Sequence, residues 1–260
     1  MSRIQTPTPQ DGAAWVTGAS TGIGRAVALK LARSGWTVLA TARSADKLDT
    51  LVVEAEGAAG KVIALPCDLT DLAATQTVVD NARRDVGPIA LALLNAGTYK
   101  PDSLRTFSST AFRAQFDINV FGTFHCLEAI LPAFIEAKRG HVAIVSSVAG
   151  YRGLPRAMGY GATKAALINF TEALRLMADP YGIKVQLINP GFVRTPLTDK
   201  NDFPMPFLME VEDAAKAIVD GLASPRFEIA FPAPFVFMLK RLRALPYGVY
   251  FALIKRQTGA

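Results

Sequence analysis

Cysteine, histidine and long apolar runs are scarce in this chain, and each scarcity argues against one kind of protein or site. The two cysteines, Cys67 and Cys126, are too few for a disulfide scaffold, and no metal-ligand spacing surrounds them. We therefore expect buried, reduced thiols and no metal site. The two histidines, His125 and His141, lie in no catalytic motif and are interpreted as structural. No uninterrupted apolar run reaches the length that spans a bilayer, so a membrane-spanning helix is not expected.

Charged residues are also few, at 19% of the chain, whereas 50% of the residues are hydrophobic. This composition excludes global disorder and supplies a sizeable core. The net charge of +6 is concentrated at the end of the chain, because five basic residues and no acidic ones occur from Ile229 onward. No basic stripe with stacking aromatic residues is present, so nucleic acid is not an expected partner. Residues 1–12 lack a signal peptide's apolar stretch and are interpreted as the flexible N-terminus of a cytoplasmic protein.

Short apolar or β-branched runs alternate with amphipathic segments, and 260 residues suit one large domain. This alternation predicts an α/β fold of the Rossmann type, a doubly wound parallel sheet of about seven strands with helices on both faces. The domain would cover residues 13–232, followed by an apolar, basic helical tail over residues 233–260. The predicted strands are Ala14–Thr17, Thr37–Thr41, Lys61–Leu65, Ile89–Asn95, His141–Ser146, Lys184–Asn189 and Phe227–Phe231.

A glycine-rich turn follows the first predicted strand and leads into a helix, with the spacing G-x-x-x-G-x-G. Glycines let backbone amides approach a pyrophosphate, and a helix N-terminus adds partial positive charge. We therefore predict a dinucleotide-binding loop, although a strand–helix turn that binds nothing is the alternative that spacing alone leaves open. The predicted loop residues are Gly18, Ser20, Thr21, Gly22, Ile23 and Gly24.

The end of the second predicted strand bears on the choice of dinucleotide. NAD-specific sites usually place an acidic side chain here, whereas an arginine accommodates the 2′-phosphate of NADP. No carboxylate is present, and Arg43 followed by Ser44 offers a charge-assisted contact. We expect NADP(H), with NAD(H) as the alternative if Arg43 is merely a solvated loop residue.

A tyrosine and a lysine four positions apart, Tyr160 and Lys164, lie at the start of a predicted helix and share one of its faces. A neighbouring ammonium lowers the pKa of a phenol and suits it to acid–base chemistry. Ser147 lies thirteen positions before Tyr160, just after a predicted strand, where its hydroxyl can bond a reacting oxygen. A turn-capping role for Ser147 is the alternative.

Together the motifs resemble the classical short-chain dehydrogenase/reductase family, whose order and spacings they follow over residues 13–222. The matching pieces are Thr17–Gly24, Cys67–Leu69, Leu94–Gly97, Asn119, Ile144–Gly150, Tyr160–Lys164 and Asn189–Gly191. The resemblance implies that residues 13–232 form a dinucleotide-binding and catalytic domain. It also implies a homo-dimer or homo-tetramer.

The resemblance implies roles for four catalytic positions. Tyr160 would be the acid–base, Ser147 would orient the substrate oxygen, and Lys164 would bind the nicotinamide ribose as well as modulate the pKa of Tyr160. Asn119 would hold a water that relays protons to Lys164, unless it is a satisfied core amide.

Further positions would contact the cofactor by the same resemblance. They are Asp68 and Leu69 at the adenine, Asn95 with Ala96 and Gly97 beside the adenosine, and Pro190, Gly191, Val193 and Thr195 near the nicotinamide. One departure concerns cofactor choice. NADP-preferring members often carry a basic residue before the second loop glycine, where this chain has Thr21, so the phosphate contact rests on Arg43 and Ser44.

The substrate region and the tail are the least determined parts. The segment Asp202–Met209 is mostly apolar, which suits a lid over a small hydrophobic carbonyl or alcohol, unless it simply packs on the core. Residues 234–256 place apolar and aromatic residues at helical spacing among basic ones. This pattern is typical of a subunit interface, a pocket cover, or an interfacial helix on the inner face of a membrane.

Three functions remain open from the sequence. The first is an NADP(H)-dependent oxidoreductase that interconverts a hydrophobic secondary alcohol and a ketone, or an alcohol and an aldehyde. The second is a 3-oxoacyl-thioester reductase of fatty-acid metabolism, for which the basic tail would attract an acidic carrier. The third is a non-catalytic nucleotide-binding protein, which would not need Ser147, Tyr160 and Lys164 together.

Overall fold

Seven parallel strands form one sheet in the computed structural model, which describes residues 5–258. The strands are β1 (Ala13–Thr17), β2 (Thr37–Ala42), β3 (Lys61–Pro66), β4 (Ile89–Leu94), β5 (Gly140–Val145), β6 (Ile183–Pro190) and β7 (Glu228–Phe231). Their order is β3-β2-β1-β4-β5-β6-β7. The chain thus winds outward from β1 in one direction and, after crossing over, outward from β4 in the other. The predicted fold class is confirmed.

Burial explains why the inner strands are continuous apolar runs. Every residue of β1, β4, β5 and β6 is buried, because helices cover both faces of the sheet at these strands. The strand β3 lies at one edge and has exposed residues at both ends. The winding reverses between β1 and β4, and ligands bind at such a switch point, beyond the carboxyl ends of the strands.

Helices pack on both faces of the sheet, as predicted. They are α1 (Gly22–Arg33), α2 (Ala45–Glu54), α3 (Leu72–Asp85), α4 (Ser109–Phe116), α5 (Gly122–Ala137), α6 (Met158–Ala178), α7 (Val211–Ala223), α8 (Ala233–Arg243) and α9 (Tyr247–Thr258). One core contains residues of α1, α2 and α7, including Val27, Leu51 and Ile218. The opposite core contains residues of α3, α5 and α6, including Ile130 and Leu167. Both thiols are free and buried, as expected.

By length and composition alone, one stretch of the described residues, Ser109–Ala137, passes as a membrane-crossing helix, with a mean hydropathy of 1.5. Its apolar residues Leu127, Ile130 and Phe134 are buried against the sheet in the core shared with α3 and α6. The stretch also carries Glu128 and Glu136, so it is not an uninterrupted apolar run. A core helix of a globular domain has these properties.

The segment predicted as a tail forms α8 and α9, separated by Pro246. In α8, Phe235, Val236 and Leu239 are buried in a third apolar cluster with residues from β6 and α6. At the other end of the chain, Pro9–Asp11 form a short 3-10 turn before β1. The first four residues of the predicted flexible N-terminus lie outside the described residues.

Candidate active site

The carboxyl ends of β1 to β6 open into one cleft of about 460 Å³, within the range of small-molecule sites. Nearly all of the sequence-predicted site residues line it. They are Gly18, Ser20, Thr21, Gly22, Ile23, Arg43, Ser44, Asp68, Leu69, Asn95, Ala96, Gly97, Ser147, Tyr160, Lys164, Pro190, Gly191, Val193 and Thr195. Gly24 and Asn119 are the two predicted residues that do not line the cleft.

The glycine-rich loop leaves room for a ligand at the start of α1. Gly18 and Gly22 have φ angles of +65° and +55°, a left-handed conformation that favours glycine. A Cβ atom at Gly24 would lie 2.3 Å from the carbonyl oxygen of Gly18, so only glycine permits this close packing. The side chain of Thr21 does not cap α1, so the helix N-terminus directs uncapped amides at the cleft. These features fit the pyrophosphate of a dinucleotide.

Asn95 joins the glycine-rich loop to the end of β4. Its side-chain amide donates to the Thr17 carbonyl oxygen at 3.1 Å, and its main-chain amide donates to the Thr17 hydroxyl at 2.9 Å. The amide of Ala96 donates to the same hydroxyl at 3.0 Å. Asn95 therefore supports the loop across the switch point.

At the ends of β2 and β3 the cleft is lined by two charged side chains, Arg43 and Asp68. The Asp68 carboxylate accepts the amide and the hydroxyl of Thr70 at 3.0 and 2.8 Å. The hydrogen bond from the Thr70 amide is the main cause that lowers the pKa of Asp68, and the positive charge of Arg43 lowers it further. Arg43 is exposed, and within residues 5–258 no carboxylate lies at ion-pair distance from its guanidinium. It is therefore available to an anionic ligand.

Ser147 and Tyr160 are brought together from β5 and α6. Tyr160 lies in the first turn of α6, and its hydroxyl bonds the side chain of Ser147. Ser147 also accepts the amide of Ala149 at 3.1 Å, which is the capping contact that the sequence left open, and its substrate role stays a prediction. The ring of Tyr99 meets the ring of Tyr160 edge-on, with centroids 5.2 Å apart. Two adjacent hydroxyls thus face the cleft.

Lys164 is buried beneath the cleft. Its Nζ donates to the Val145 carbonyl oxygen at 2.9 Å and lies 5.6 Å from the centroid of the Tyr160 ring. Burial lowers the pKa of Lys164 to about 8. Val145 is the last residue of β5, so the strand end holds the cation in place.

The prediction that Lys164 lowers the pKa of Tyr160 stays a prediction. Burial raises the pKa of Tyr160 to about 12, and the opposing influence is the hydrogen bond with Ser147.

Asn119 lies behind the cleft, in a single π-helical turn, Asp117–Phe121, between α4 and α5. Its amide nitrogen donates to the carbonyl oxygen of Thr98 and to the hydroxyl of Thr163, both at 3.0 Å, and its amide oxygen accepts the amide of Thr98 at 2.6 Å. The side chain is therefore a satisfied core amide, the alternative that the sequence left open. The proton relay stays a prediction.

Asp102 is a neighbour of the site that the motifs did not reveal. Its carboxylate accepts the amides of Met158 and Gly159, at 3.1 and 2.7 Å, at the start of α6. Ala157, which precedes the helix, provides no side-chain cap. Asp102 thus caps α6 from a distant loop, and the second capped amide belongs to Gly159, the residue before Tyr160.

We expect Asp102→Ala to lower both stability and turnover, because two helix-terminal amides lose their acceptor beside Tyr160. A lost cap costs about 1 kcal/mol, and the looser first turn should reduce kcat severalfold. Asp71→Ala is the matched control, since the carboxylate of Asp71 caps α3 in the same way, through the amide of Ala74 at 3.0 Å. Melting temperatures and kcat at saturating cofactor measure both effects. Equal kcat losses in the two variants would contradict the special position of Asp102.

Aromatic side chains of the predicted lid, Asp202–Met209, contact aromatic side chains outside it. Phe203 and Phe235 each contact Phe192, with ring centroids 6.0 and 5.4 Å away, and Phe207 lies 5.9 Å from Phe235. Arg156, in the loop before α6, forms a bidentate ion pair with Asp202 at 2.5 and 2.9 Å. The lid therefore contacts α8 through Phe207 and the loop before α6 through Asp202.

Sequence reasoning missed part of the cleft wall. The missed residues are Ala42, Cys67, Thr70, Ile118, Val145, Ser146, Pro196, Leu197 and Thr198. Each is a direct or near neighbour of a predicted residue, so widening the motifs by up to three positions would have included them. The Thr198 hydroxyl lies 2.7 Å from the Val193 carbonyl oxygen and accepts the Thr195 amide at 3.0 Å, which folds this loop over the cleft.

Comparisons with known proteins agree with this geometry. The family model described as short chain dehydrogenase matches residues 12–204. An uncharacterized oxidoreductase of Myxococcus xanthus is 38% identical over 94% of this chain and 96% of its own length. The 3-oxoacyl-(acyl-carrier-protein) reductase of Thermotoga maritima is 35% identical over 71% of this chain and 75% of its own length.

Solved structures of short-chain dehydrogenases also superpose on this chain. A short-chain type dehydrogenase/reductase from Mycobacterium marinum superposes with a TM-score of 0.79 at 27% identity, covering 86% of this chain and 95% of its own. A short-chain dehydrogenase from Streptomyces avermitilis superposes with a TM-score of 0.78 at 28% identity, covering 88% and 92%.

Proposed function

This chain belongs to the short-chain dehydrogenase/reductase family of oxidoreductases, and we propose that it uses NADP(H) to interconvert a hydrophobic secondary alcohol and its ketone, or an alcohol and an aldehyde. The observation that carries the proposal is the pair of adjacent hydroxyls, Tyr160 and Ser147, above a buried cation in a cleft with a glycine-rich loop. Tyr160, Ser147 and Lys164 are the proposed catalytic residues.

In the direction of reduction, Tyr160 gives its hydroxyl proton to the carbonyl oxygen as that oxygen becomes an alkoxide. Ser147 donates a hydrogen bond to the same oxygen and holds it against the phenol. The buried ammonium of Lys164 stabilises negative charge that develops on the phenol oxygen. When bound, the nicotinamide dinucleotide supplies or accepts the hydride. In the direction of oxidation, Tyr160 takes the alcohol proton.

The preference for NADP(H) rests on Arg43, whose guanidinium is exposed at the cleft beside Ser44. An arginine forms charge-assisted hydrogen bonds with a phosphate, and each is worth about 1.5–3 kcal/mol. The end of β2 offers no carboxylate that would repel the 2′-phosphate. The 2′-hydroxyl of NAD(H) lacks the charge that would make the same contact.

We expect Arg43→Ala to raise the KM for NADPH about 10- to 100-fold and to leave the KM for NADH nearly unchanged. Arg33→Ala, which removes an exposed arginine at the end of α1, is the control. Steady-state kinetics with both cofactors measure the change. If NADH outperforms NADPH in the unmodified enzyme, Arg43 does not select the cofactor.

The hydrophobic substrate class rests on the apolar composition of the lid, in which Phe203 contacts Phe192 and Phe207 contacts Phe235. A panel of ketones, aldehydes and secondary alcohols, assayed with both cofactors, tests the proposal. We expect kcat/KM to rise with the apolar size of the substrate. Preference for polyols or sugars would count against this substrate class.

A 3-oxoacyl-thioester reductase is the second candidate, favoured by the relative from Thermotoga maritima at 35% identity. A carrier-bound acyl chain would reach the cleft past the lid, and the basic residues of α8 and α9 would attract an acidic carrier protein. Assays of one 3-oxoacyl group on a carrier protein and as a free ketone separate the two functions. Activity confined to the carrier-bound form would establish the second.

A further inference from the structure

The last two helices carry many exposed side chains that are either apolar or basic. Its apolar side chains are Phe237, Tyr247, Val249, Phe251 and Leu253, exposed to 61%, 72%, 49%, 55% and 37%. Its basic side chains are Lys240, Arg241, Arg243, Lys255 and Arg256. We call these ten residues the C-terminal face. The reaction cleft does not include any of them.

The helix α9 is attached to the domain along one side only. Its buried residues, Tyr250 and Ile254, are four positions apart and therefore share one face of the helix. The Arg152 guanidinium lies 4.0 Å from the Tyr250 ring centroid and donates to the Leu242 and Leu245 carbonyl oxygens at the end of α8, at 2.9 and 2.7 Å. The helix is thus docked in a defined orientation, with its remaining residues outward.

The outward residues of α9 have a simple distribution. From Tyr247 to Leu253 the outward side chains are apolar or aromatic, and Lys255 and Arg256 follow in the last turn. Large exposed apolar surfaces mark interaction sites rather than ordinary solvent-exposed surface. The nearby Arg241 guanidinium stacks on the exposed Phe237 ring, 4.7 Å from its centroid.

The positive charge of the C-terminal face indicates what kind of partner binds to it. Lys240 pairs with Glu228, whereas within residues 5–258 the other four basic residues of the face have no carboxylate at ion-pair distance. No acidic residue occurs from Ile229 to the end of the chain. Two copies related by a twofold axis through this face would bring like charges together. An anionic lipid surface offers both an apolar interior and negative headgroups.

We propose that the C-terminal face docks the protein onto an anionic membrane surface. The exposed rings and aliphatic side chains enter the boundary between headgroups and acyl chains, and the basic residues contact anionic headgroups. The protein does not need to cross the bilayer for this. The proposal concerns a surface outside the cleft and does not depend on the substrate or on the preferred cofactor.

Flotation of the full-length protein with vesicles tests the proposal. We expect binding to phosphatidylcholine vesicles that contain one quarter phosphatidylglycerol, and at least tenfold weaker binding to phosphatidylcholine alone. Added salt should weaken the binding further, because it screens the headgroup charge. Removal of two charges in Lys255→Gln/Arg256→Gln should weaken it about 25-fold, since each basic residue contributes about fivefold.

A second variant and its control separate the apolar contribution from general destabilisation. Phe251→Ser/Leu253→Ser should lose vesicle binding while keeping its melting temperature and its turnover in solution. Leu176→Ser/Met177→Ser removes an equally apolar pair from the exposed side of α6, at 78% and 72% exposure, and should bind vesicles normally.

Two results would overturn the proposal. One is the absence of binding to anionic vesicles by the unmodified protein. The other is light scattering that shows a dimer which Phe251→Ser/Leu253→Ser converts to a monomer while vesicle binding is unaffected. The second result would assign the face to another copy of this chain.

Discussion

Tyr160→Phe should lower turnover about 10²- to 10⁴-fold while cofactor affinity stays within a factor of two or so. The substitution removes only the oxygen that exchanges the proton, and the ring keeps its packing against Tyr99. With the pKa of Tyr160 raised to about 12, its hydroxyl is protonated at neutral pH, as the proposed donation of a proton during reduction requires. Single-turnover kinetics and fluorescence titration with NADPH measure the two quantities separately.

Tyr99→Phe provides the matched control. It removes a hydroxyl one ring away, whose contact with the Arg156 carbonyl oxygen is long, at 3.5 Å. Turnover should fall by no more than a few fold. If Tyr160→Phe and Tyr99→Phe were equally active, a group other than the Tyr160 hydroxyl would have to move the proton.

The central strands could be predicted because burial on both faces requires continuous apolar runs. The first and last residues of each strand could not be predicted, because a strand extends as far as the neighbouring strands supply residues to pair with. The strand β6 illustrates this. Predicted as Lys184–Asn189, it runs over Ile183–Pro190 because Ile183 pairs with Gly140 on one side and Pro190 pairs with Phe231 on the other.

The candidate site was predictable where it depends on motifs and unpredictable where it depends on contacts across the fold. Tyr160, Ser147 and Lys164 follow from spacing. The cap that Asp102 supplies does not, since 56 positions separate it from Met158 and any loop carboxylate has the same local sequence signature. The raised pKa of Tyr160 was also beyond the sequence, because desolvation depends on the three-dimensional surroundings of the phenol.

The C-terminal segment shows a similar division. Apolar residues at helical spacing predicted a helical tail, which the structure divides into two helices at Pro246. Which apolar residues would be buried was not predictable. Tyr250 is inside because Arg152 stacks on its ring, while its neighbour Phe251 remains 55% exposed.

Lys164→Met should abolish most turnover without destabilising the fold. Two opposing effects decide the stability. Burial lowers the pKa of Lys164 to about 8, so its charge costs the folded state about 3 kcal/mol at neutral pH relative to the unfolded chain. Methionine removes that cost but leaves the Val145 carbonyl without its donor, a loss of about 1–3 kcal/mol. The two nearly cancel, so the melting temperature at pH 7 should be equal or slightly higher.

The pH dependence gives the sign of this effect. The folded pKa of Lys164 lies below its unfolded value, so the unfolded chain binds more protons between about pH 8 and 10.5, and the unmodified protein gains stability as the pH rises through that window. Lys164→Met lacks this gain, so its relative stability should fall from pH 7 to pH 10. Lys184 has a pKa lowered to about 8 as well, but it is present in both proteins and cancels in the difference.

The turnover of two lysine variants shows whether Lys164 acts in catalysis or only in the fold. Lys164→Met should lose at least a hundredfold in kcat/KM, because the phenol oxygen loses the positive charge that stabilises it in the transition state. Lys184→Met is the comparison, since Lys184 is also buried but donates to the carbonyl oxygens of Leu222 and Ser224, and it does not line the cleft. That variant should lose stability and keep the turnover of its folded fraction. The opposite pattern would mean that the ammonium beneath Tyr160 supports only the fold.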